Sequence, residues 1–145
     1  MPLVEEFLSD TGEKLIIEAI QNAEKLTSGE IRVHLENRTD LPCYERAKEV
    51  FLLLHMDETV EKNGVLFYVA VENKEFAILG DKGIDEVVPD DFWDSIKNNI
   101  CNEFAKGNRI EGLISGIKEA GEKLQQYFPS VDPDKNELSN EVSRG

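Results

Sequence analysis

The chain has 145 residues, which fits one domain large enough to bury a sizeable core. Its 30 acidic residues outnumber 16 basic ones, for a formal net charge of -14. This balance disfavours nucleic acids and anionic membrane surfaces, which are bound through Lys and Arg, and it favours cations and basic partners.

The sequence shows no signal for membrane insertion or export. No segment approaches the roughly 20 consecutive apolar residues of a membrane span. The first residues, Met1 to Glu6, lack the basic and apolar regions of a signal peptide. Cys43 and Cys101 lie far apart and form no Cys-x-x-Cys motif, so reduced thiols are expected. A cytoplasmic location is therefore expected.

The first half of the chain predicts a helix, a strand and a second helix. A capping box at Asp10 to Glu13 begins the first helix, which ends before residues 27–29. Residues 30–36 alternate between apolar and polar side chains, as a strand with one polar face does. Pro42 then opens the second helix. Its predicted apolar stripe consists of Tyr44, Ala47, Val50, Phe51 and Leu54.

The second half predicts a hairpin followed by two helices. Residues 65–71 are continuously apolar, which indicates a central strand covered on both faces. Residues 76–79 are the returning strand after a short turn. Pro89 suits the first position of a third helix, whose buried stripe includes Trp93. A fourth helix ends at Pro129. Gly112 and Gly116, on its successive turns, allow a neighbouring helix to approach closely.

This order of elements predicts a three-layer α/β/α sandwich, with a small mixed sheet flanked by about four helices. The strand–helix–strand unit predicts a right-handed crossover with two parallel strands, and the hairpin makes the third strand antiparallel. We assign residues 1–129 to a single domain. Residues 130–145 are polar and predict a disordered tail.

The predicted topology brings three acidic segments to one rim of the sheet. The first strand starts there at residues 28–30 and the second at residues 63–64, while the antiparallel third strand ends there at residues 80–81. These segments and the loop before residue 63 carry Glu30, Asp57, Glu58, Glu61, Asp81 and Asp85.

Carboxylates from several loops are the oxygen ligands that hard cations prefer. Ca²⁺ takes 6–8 oxygens in flexible sites, and Mg²⁺ is the alternative ion. Asp81 to Asp85 does not match an EF-hand loop, since Gly83 stands at its third position. The competing interpretation is that these carboxylates are a solvated surface of an acidic protein.

Other chemistry has weaker support in the sequence. Arg32 and Arg46 are predicted to bind an anion, or else to pair with Glu30 and Glu49. No phosphate-binding glycine loop or hydrolase nucleophile motif is present, so the catalytic residues, if any, are unknown. His34 and His55 do not form a zinc motif by spacing.

An ordered series of short segments resembles the TPM domain family. The series runs through residues 27–33, Arg46, residues 63–66, residues 77–84, and residues 92–129 with their spaced glycines and Phe128. TPM domains occur in thylakoid-lumen photosystem repair proteins, in an auxiliary protein of an animal ion channel and in many bacterial proteins. The resemblance covers about residues 10–129.

The resemblance implies an α/β/α sandwich with a groove and with divalent cations, chiefly Ca²⁺, bound in acidic loops beside it. It points to Glu30 and Asp81 as ligands. Asp57, Glu58 and Asp85 come from the rim argument alone. Many family members carry an export signal and a C-terminal membrane helix, and this sequence shows neither pattern.

Three functions are therefore considered. The first is a small cytoplasmic module that binds Ca²⁺, with Mg²⁺ as a second possible ion. The second is a metal-dependent phosphomonoesterase, an activity that has been ascribed to plant members of the family. The third is an adaptor that binds a protein or peptide in the groove without catalysis. The sequence identifies neither a substrate nor a partner.

Overall fold

A four-stranded mixed sheet lies at the centre of the computed structural model, which describes residues 9–130 and 142–144. The strands are β1 (Glu30–Glu36), β2 (Gly64–Ala70), β3 (Glu75–Gly80) and β4 (Ser143–Arg144). Their order is β3-β2-β1-β4. β1 pairs in parallel with β2, and β2 pairs antiparallel with β3, so the predicted strand directions are confirmed.

Helices cover both faces of the sheet. They are α1 (Asp10–Glu24), α2 (Cys43–Leu53), the short α3 (Lys82–Asp85), α4 (Asp94–Ala105) and α5 (Arg109–Leu124). A 3-10 turn spans Met56–Glu58. The predicted α/β/α sandwich is thus confirmed, with α3 as an additional short helix.

Two hydrophobic cores lie on opposite faces of the sheet because side chains alternate along each strand. On one face, Val33, Phe67 and Ile78 pack against α1, α4 and α5 in the larger core. On the other face, Leu66, Tyr68 and Ala77 pack against α2. β2 is buried along its whole length, as its continuous apolar sequence predicts.

Three helix details differ from the prediction. Ser9, one residue before the predicted capping box, caps α1, and its Oγ accepts a hydrogen bond from the Gly12 backbone N–H at 3.0 Å. The third predicted helix begins at Asp94 rather than Pro89, because residues 90–93 form turns before it. Tyr44, predicted to be buried in α2, is 46% exposed, and Lys48 Nζ lies 4.9 Å from its ring centroid.

The predicted disordered tail is wrong for residues 142–144. Val142 is buried in the larger core, and Ser143 and Arg144 form β4 in parallel with His34 and Leu35 of β1. Burial of the Val142 side chain and pairing with the edge of β1 hold this segment in place. The rest of the predicted tail, apart from Ser130, lies outside the described residues.

Small residues set the close packing of α5 against its neighbours, as predicted for two of its glycines. A Cβ atom at Gly116 would lie 2.6 Å from Ile100 Cδ1 of α4, and one at Gly112 would lie 3.0 Å from Glu103 Cβ. Gly121 faces α1, where an added Cβ would lie 2.8 Å from Ala23 Cβ and 3.0 Å from Ala23 Cα. The contact at Gly121 is with backbone, which cannot rotate away.

We expect Gly121→Ala to lower the free energy of unfolding. Overpacking costs about 1–3 kcal/mol, and this exceeds the roughly 1 kcal/mol that Ala gains over Gly in helix propensity. The measurement is urea unfolding followed by the fluorescence of Trp93. Ser115→Ala is the matched control, because Ser115 is exposed on the same helix; an equal or greater stability for Gly121→Ala would contradict the packing argument.

Candidate functional site

Three segments of the chain meet at one rim of the sheet, as predicted. The Glu30 backbone N–H donates to the Asn63 carbonyl at 3.2 Å, and the Asp81 N–H donates to the Gly64 carbonyl at 2.9 Å. We call residues 27–30, 61–64 and 80–85 the acidic rim. The parallel and antiparallel pairings of β2 place these segments side by side.

The loop before β2 packs directly on α3. A Cβ atom at Gly83 would lie 2.3 Å from the Glu61 carbonyl oxygen and 2.4 Å from that of Lys62. Only glycine permits this approach, and it brings two backbone oxygens close to the helix that carries Asp85.

Asp81 and Asp85 form a pair of carboxylates at the two ends of α3. Asp81 caps this helix, and its Oδ1 accepts a hydrogen bond from the Lys82 N–H at 2.7 Å. Its Oδ2 is buried and accepts no hydrogen bond from the described residues. Burial and the charge of Asp81 both raise the pKa of Asp85. Asp85 is an exposed residue, and the two carboxylates repel each other when both are ionised.

Glu61 lies in a small hydrogen-bonded group on the same rim. Its Oε2 accepts from Ser28 Oγ at 2.8 Å and from Asn63 Nδ2 at 3.0 Å. The first of these bonds fixes the position of the Ser28 hydroxyl. Both bonds hold the loop that presents the carbonyls of residues 61 and 62.

Glu24 belongs beside the rim and was missed in the sequence analysis. Burial raises the pKa of Glu24 to about 7; a hydrogen bond from the Ile31 N–H opposes this rise, and the charge of Glu30 adds to it. That hydrogen bond, 3.0 Å long, places the Glu24 carboxylate at the edge of β1. A clue was present in the sequence, since an acidic residue in the last turn of a helix opposes the helix dipole.

The remaining predicted ligands are more dispersed. Glu30 is buried, with 4% of its surface exposed, and lies near Glu24. The backbone carbonyl of Asp57 accepts a hydrogen bond from Lys62 Nζ. Glu58 Oε2 lies 3.6 Å from His55 Nδ1. Across residues 9–130 and 142–144, no three His, Cys, Asp or Glu side chains form a group arranged to hold a metal.

A groove lies between the start of α4 and the end of α5. It has a volume of about 670 Å³ and is lined in part by Asp91, Phe92, Glu119 and Tyr127. The neighbouring Trp93 packs on the rim, since a Cβ atom at Gly80 would lie 3.0 Å from its ring. Among the described residues, none of those that line the groove belongs to the acidic rim.

A different arrangement of charge occupies the opposite end of β1. Glu36 is 5% exposed and lies under α2. Arg46 donates to it from Nε at 3.1 Å and from Nη2 at 2.6 Å, and donates to Glu49 from Nη1 at 3.0 Å. Tyr68 OH also donates to Glu36, and His34 Nε2 lies 3.3 Å from it. We call His34, Glu36, Arg46 and Tyr68 the polar network.

The polar network compensates its buried carboxylate. Burial alone would raise the pKa of Glu36, but hydrogen bonds from Arg46, Tyr68 and His34 outweigh it and lower that pKa to about 2. Of the two predicted roles of Arg46, the structure supports ion pairing. Its partners are Glu49, as predicted, and Glu36, which was not predicted. Burial is the main cause of the lowered pKa of His34. The charge of Arg32, which lies on the same strand, adds to this effect.

Comparison with known families decides the classification. The model of the TPM domain matches residues 4–123. The chain belongs to the TPM domain family. No curated protein matches this TPM domain. None of the helices within the described ranges is long and apolar enough to cross a membrane.

Two solved structures resemble this TPM domain. The NMR structure of the BA42 protein from the psychrophilic bacterium Bizionia argentinensis is 53% identical, covers 98% of each chain and has a TM-score of 0.92. The N-terminal domain of the cg2496 protein from Corynebacterium glutamicum is 12% identical over 91% of this chain and 81% of its own, with a TM-score of 0.64. At that identity, the second likeness supports the fold alone.

We expect that Glu36→Gln makes the free energy of unfolding depend less on pH in the acid range. The folded-state pKa of Glu36, about 2, lies below its unfolded value, so its stabilisation is present above the unfolded pKa and is lost as the pH falls towards 2. The shift corresponds to about 3 kcal/mol. Urea unfolding from pH 7 to pH 2.5 measures this slope, and Glu49→Gln, which affects an exposed partner of Arg46, is the control.

Glu24→Gln should raise the free energy of unfolding near neutral pH, in contrast to Glu36→Gln. Because the folded-state pKa is raised to about 7, ionising Glu24 destabilises the fold as the pH rises from its unfolded pKa through 7. A neutral amide keeps an oxygen for the Ile31 N–H. We expect a gain of about 1–3 kcal/mol at pH 8 that disappears at pH 4, again by urea unfolding. A gain that does not depend on pH would contradict this account.

Proposed function

We propose that this TPM domain binds a divalent cation at the acidic rim, with Ca²⁺ preferred over Mg²⁺ and with Asp81 and Asp85 as its principal ligands. The observation that carries the proposal is the buried Oδ2 of Asp81, which accepts no hydrogen bond from the described residues. A buried carboxylate oxygen without a partner costs free energy, and a bound cation removes that cost.

The pKa of Asp85 supports the same conclusion. Burial and repulsion from Asp81 raise it, so a bound cation would relieve the repulsion between the two ionised carboxylates. The polar network shows that this fold does compensate a buried carboxylate where a cationic side chain is at hand, as Arg46 does for Glu36. At the rim, a bound cation would supply the positive charge that Arg46 supplies to Glu36.

Backbone and amide oxygens fit the remaining coordination. Ca²⁺ accepts carbonyl oxygens and waters beside carboxylates, and it tolerates irregular geometry. The carbonyls of Glu61 and Lys62 approach α3 at Gly83, and Glu61 contributes a further carboxylate on the rim. Mg²⁺ demands a more regular octahedral shell, which carbonyls and carboxylates from separate loops suit less well.

The other predicted ligands remain predictions. Glu30 would need to turn from its buried position, and Glu58 would need to leave His55. With two principal carboxylates, the affinity is expected to be modest, with a Kd on the order of 10⁻⁴ to 10⁻³ M. The cytoplasmic location also remains a prediction from the sequence.

The phosphomonoesterase alternative lacks an observation in its favour. Arg46, one of the two arginines predicted to hold an anion, bonds Glu36 at the far end of β1, about 20 Å from the rim for a seven-residue strand. The adaptor alternative would use the groove between α4 and α5, whose lining residues lie outside the rim, so it is compatible with cation binding.

Asp81→Asn should weaken Ca²⁺ binding roughly tenfold to a hundredfold, which corresponds to the ~1.5–3 kcal/mol typical of an interaction with a charged group. Asn still caps helices, so α3 should persist. The measurement is a Ca²⁺ titration followed by amide NMR shifts, with Mg²⁺ in parallel. Binding by the unmodified chain should also weaken as acid protonates Asp85.

Asp91→Asn is the matched control, because it makes the same change of charge at an exposed residue outside the rim. We expect saturable shifts at residues 61–64 and 80–85 in this control. Equal affinities in the two variants would refute the site, and diffuse shifts without saturation would identify the rim as a solvated surface.

A further inference from the structure

A pocket of about 520 Å³ lies at the end of the sheet opposite the acidic rim. It is lined by residues 69–71 at the end of β2, by part of α4 and by the turn that precedes α5. Phe76 of β3 and Phe104 of α4 belong to its wall, and their rings meet edge to face with centroids 5.5 Å apart. A volume of about 300–1,000 Å³ and mostly apolar walls are typical of pockets that bind small molecules.

The position of the pocket in the fold favours the same interpretation. β1 and β2 are parallel and paired in register, so both strands end at the edge of the sheet where the pocket lies. In open α/β sheets, ligands bind in crevices outside the carboxyl ends of the parallel strands. The acidic rim lies at the amino ends. A ligand in this pocket would therefore bind independently of a cation at the rim.

The charged residues of the lining are more basic than acidic, although the chain as a whole has a net charge of -14. Lys74 and Arg109 are the basic residues, and both are exposed. Glu75 is the acidic one. Because Phe76 packs on the larger core, the Glu75 side chain points to the opposite face of the sheet, where its charge raises the pKa of Cys43. The pocket face of the sheet therefore favours an anionic group.

The turn that carries Lys74 is held in one conformation. Lys74 has a φ of 56°, a value that residues other than glycine and asparagine rarely adopt. The preceding Asn73 fixes the turn, since its Oδ1 accepts from the Thr39 N–H at 3.0 Å and its Nδ2 donates to the Thr39 carbonyl at 3.1 Å. Only the side chain of Lys74 has to become ordered when a ligand binds, which lowers the entropic cost.

The pocket is open to solvent. Cys101 and Ala105, on successive turns of α4, both line it and are exposed. A ligand can therefore reach the apolar wall without separation of α4 from the sheet.

We infer that this pocket binds a small carboxylic acid with an apolar body, which places its carboxylate beside Lys74 and Arg109 and its apolar part against Phe76 and Phe104. Carboxylates form charge-assisted hydrogen bonds with cationic side chains, and the apolar wall favours the transfer of hydrocarbon from water. The net charge of the chain repels anions at long range, but salt screens that repulsion, so the local cations decide selectivity.

The first test compares three ligands of nearly equal shape and different charge on the full chain, at an ionic strength of about 0.15 M. They are 3-phenylpropanoate, 3-phenylpropanamide and 3-phenylpropylammonium. We expect 3-phenylpropanoate to give saturable amide NMR shifts in residues 69–76 and 101–109. Its affinity should exceed that of the amide about fivefold, as expected for a partly exposed ion pair, and the ammonium ligand should bind most weakly.

A charge reversal tests the contact with Lys74. Lys74→Glu should weaken 3-phenylpropanoate at least fivefold and leave the affinity for the neutral amide unchanged. Lys97→Glu is the matched control, because Lys97 is exposed on α4 and lies outside the pocket lining. An equal loss in both variants would show that net charge alone governs binding, and would overturn the inference.

Cys101 supplies a second readout that does not depend on chemical shifts. Cys43 is buried and its pKa is raised to about 11, so alkylation by iodoacetamide reports on Cys101. Bound 3-phenylpropanoate should slow this reaction. Ala105→Phe, a change at an exposed residue of the lining, should fill the pocket and abolish binding of both the acid and its amide.

Three results would overturn the inference. One is the absence of saturable shifts in residues 69–76 and 101–109 with both 3-phenylpropanoate and octanoate. Another is equal affinity for the acid and its amide. A third is full 3-phenylpropanoate binding by Ala105→Phe. Asp81→Asn should bind 3-phenylpropanoate as the unmodified chain does, so a failure of cation binding at the rim is distinguishable from a failure at this pocket.

Discussion

The parallel pairing of β1 with β2 is the constraint on which the rest of the structure depends. Seven residues of each strand pair in register, so the strands begin at the same rim. A parallel connection requires a crossover, and α2 supplies it on one face of the sheet. The tight hairpin to β3 then returns the chain to that rim, at Gly80. Asp81, Asn63 and Glu30 become neighbours for this topological reason.

Carboxylates at the two ends of β1 have pKa values shifted in opposite directions. At Glu36, bonds from Arg46 and Tyr68 outweigh the cost of burial, and the pKa falls to about 2. At the rim, the pKa of Glu24 rises to about 7 and that of Asp85 also rises. Perturbed carboxylates that lack a cationic partner are common at functional sites, whereas a fully paired carboxylate is common in a structural ion pair. The two ends of β1 therefore differ in the direction in which the pKa of a nearby carboxylate is shifted.

Sequence patterns predicted the strands well and the helix ends less well. The alternation in residues 30–36 and the apolar run from Val65 identify β1 and β2 because strand side chains have a period of two or are buried on both faces. The start of α4 was predicted too early because Pro is common both in the first turn of a helix and in β-turns. In the folded structure residues 90–93 form turns and the helix begins at Asp94. Tyr44 has helical spacing with the apolar stripe but lies outside the buried face.

The sequence by itself determined the class of fold and the convergence of the acidic segments, because both follow from local periodicity and the order of elements. The family followed from the ordered series of segments that resembles TPM domains. The tertiary structure alone decided which carboxylates have a cationic partner. Packing between elements brings Arg46 to Glu36, whereas it brings Glu24 close to Glu30, another acidic residue. The tertiary structure also decided that Val142 is buried, because a polar stretch gives no sign that one apolar residue fits a distant core. Local propensity governs the elements, whereas desolvation and charge pairing depend on every neighbour in space.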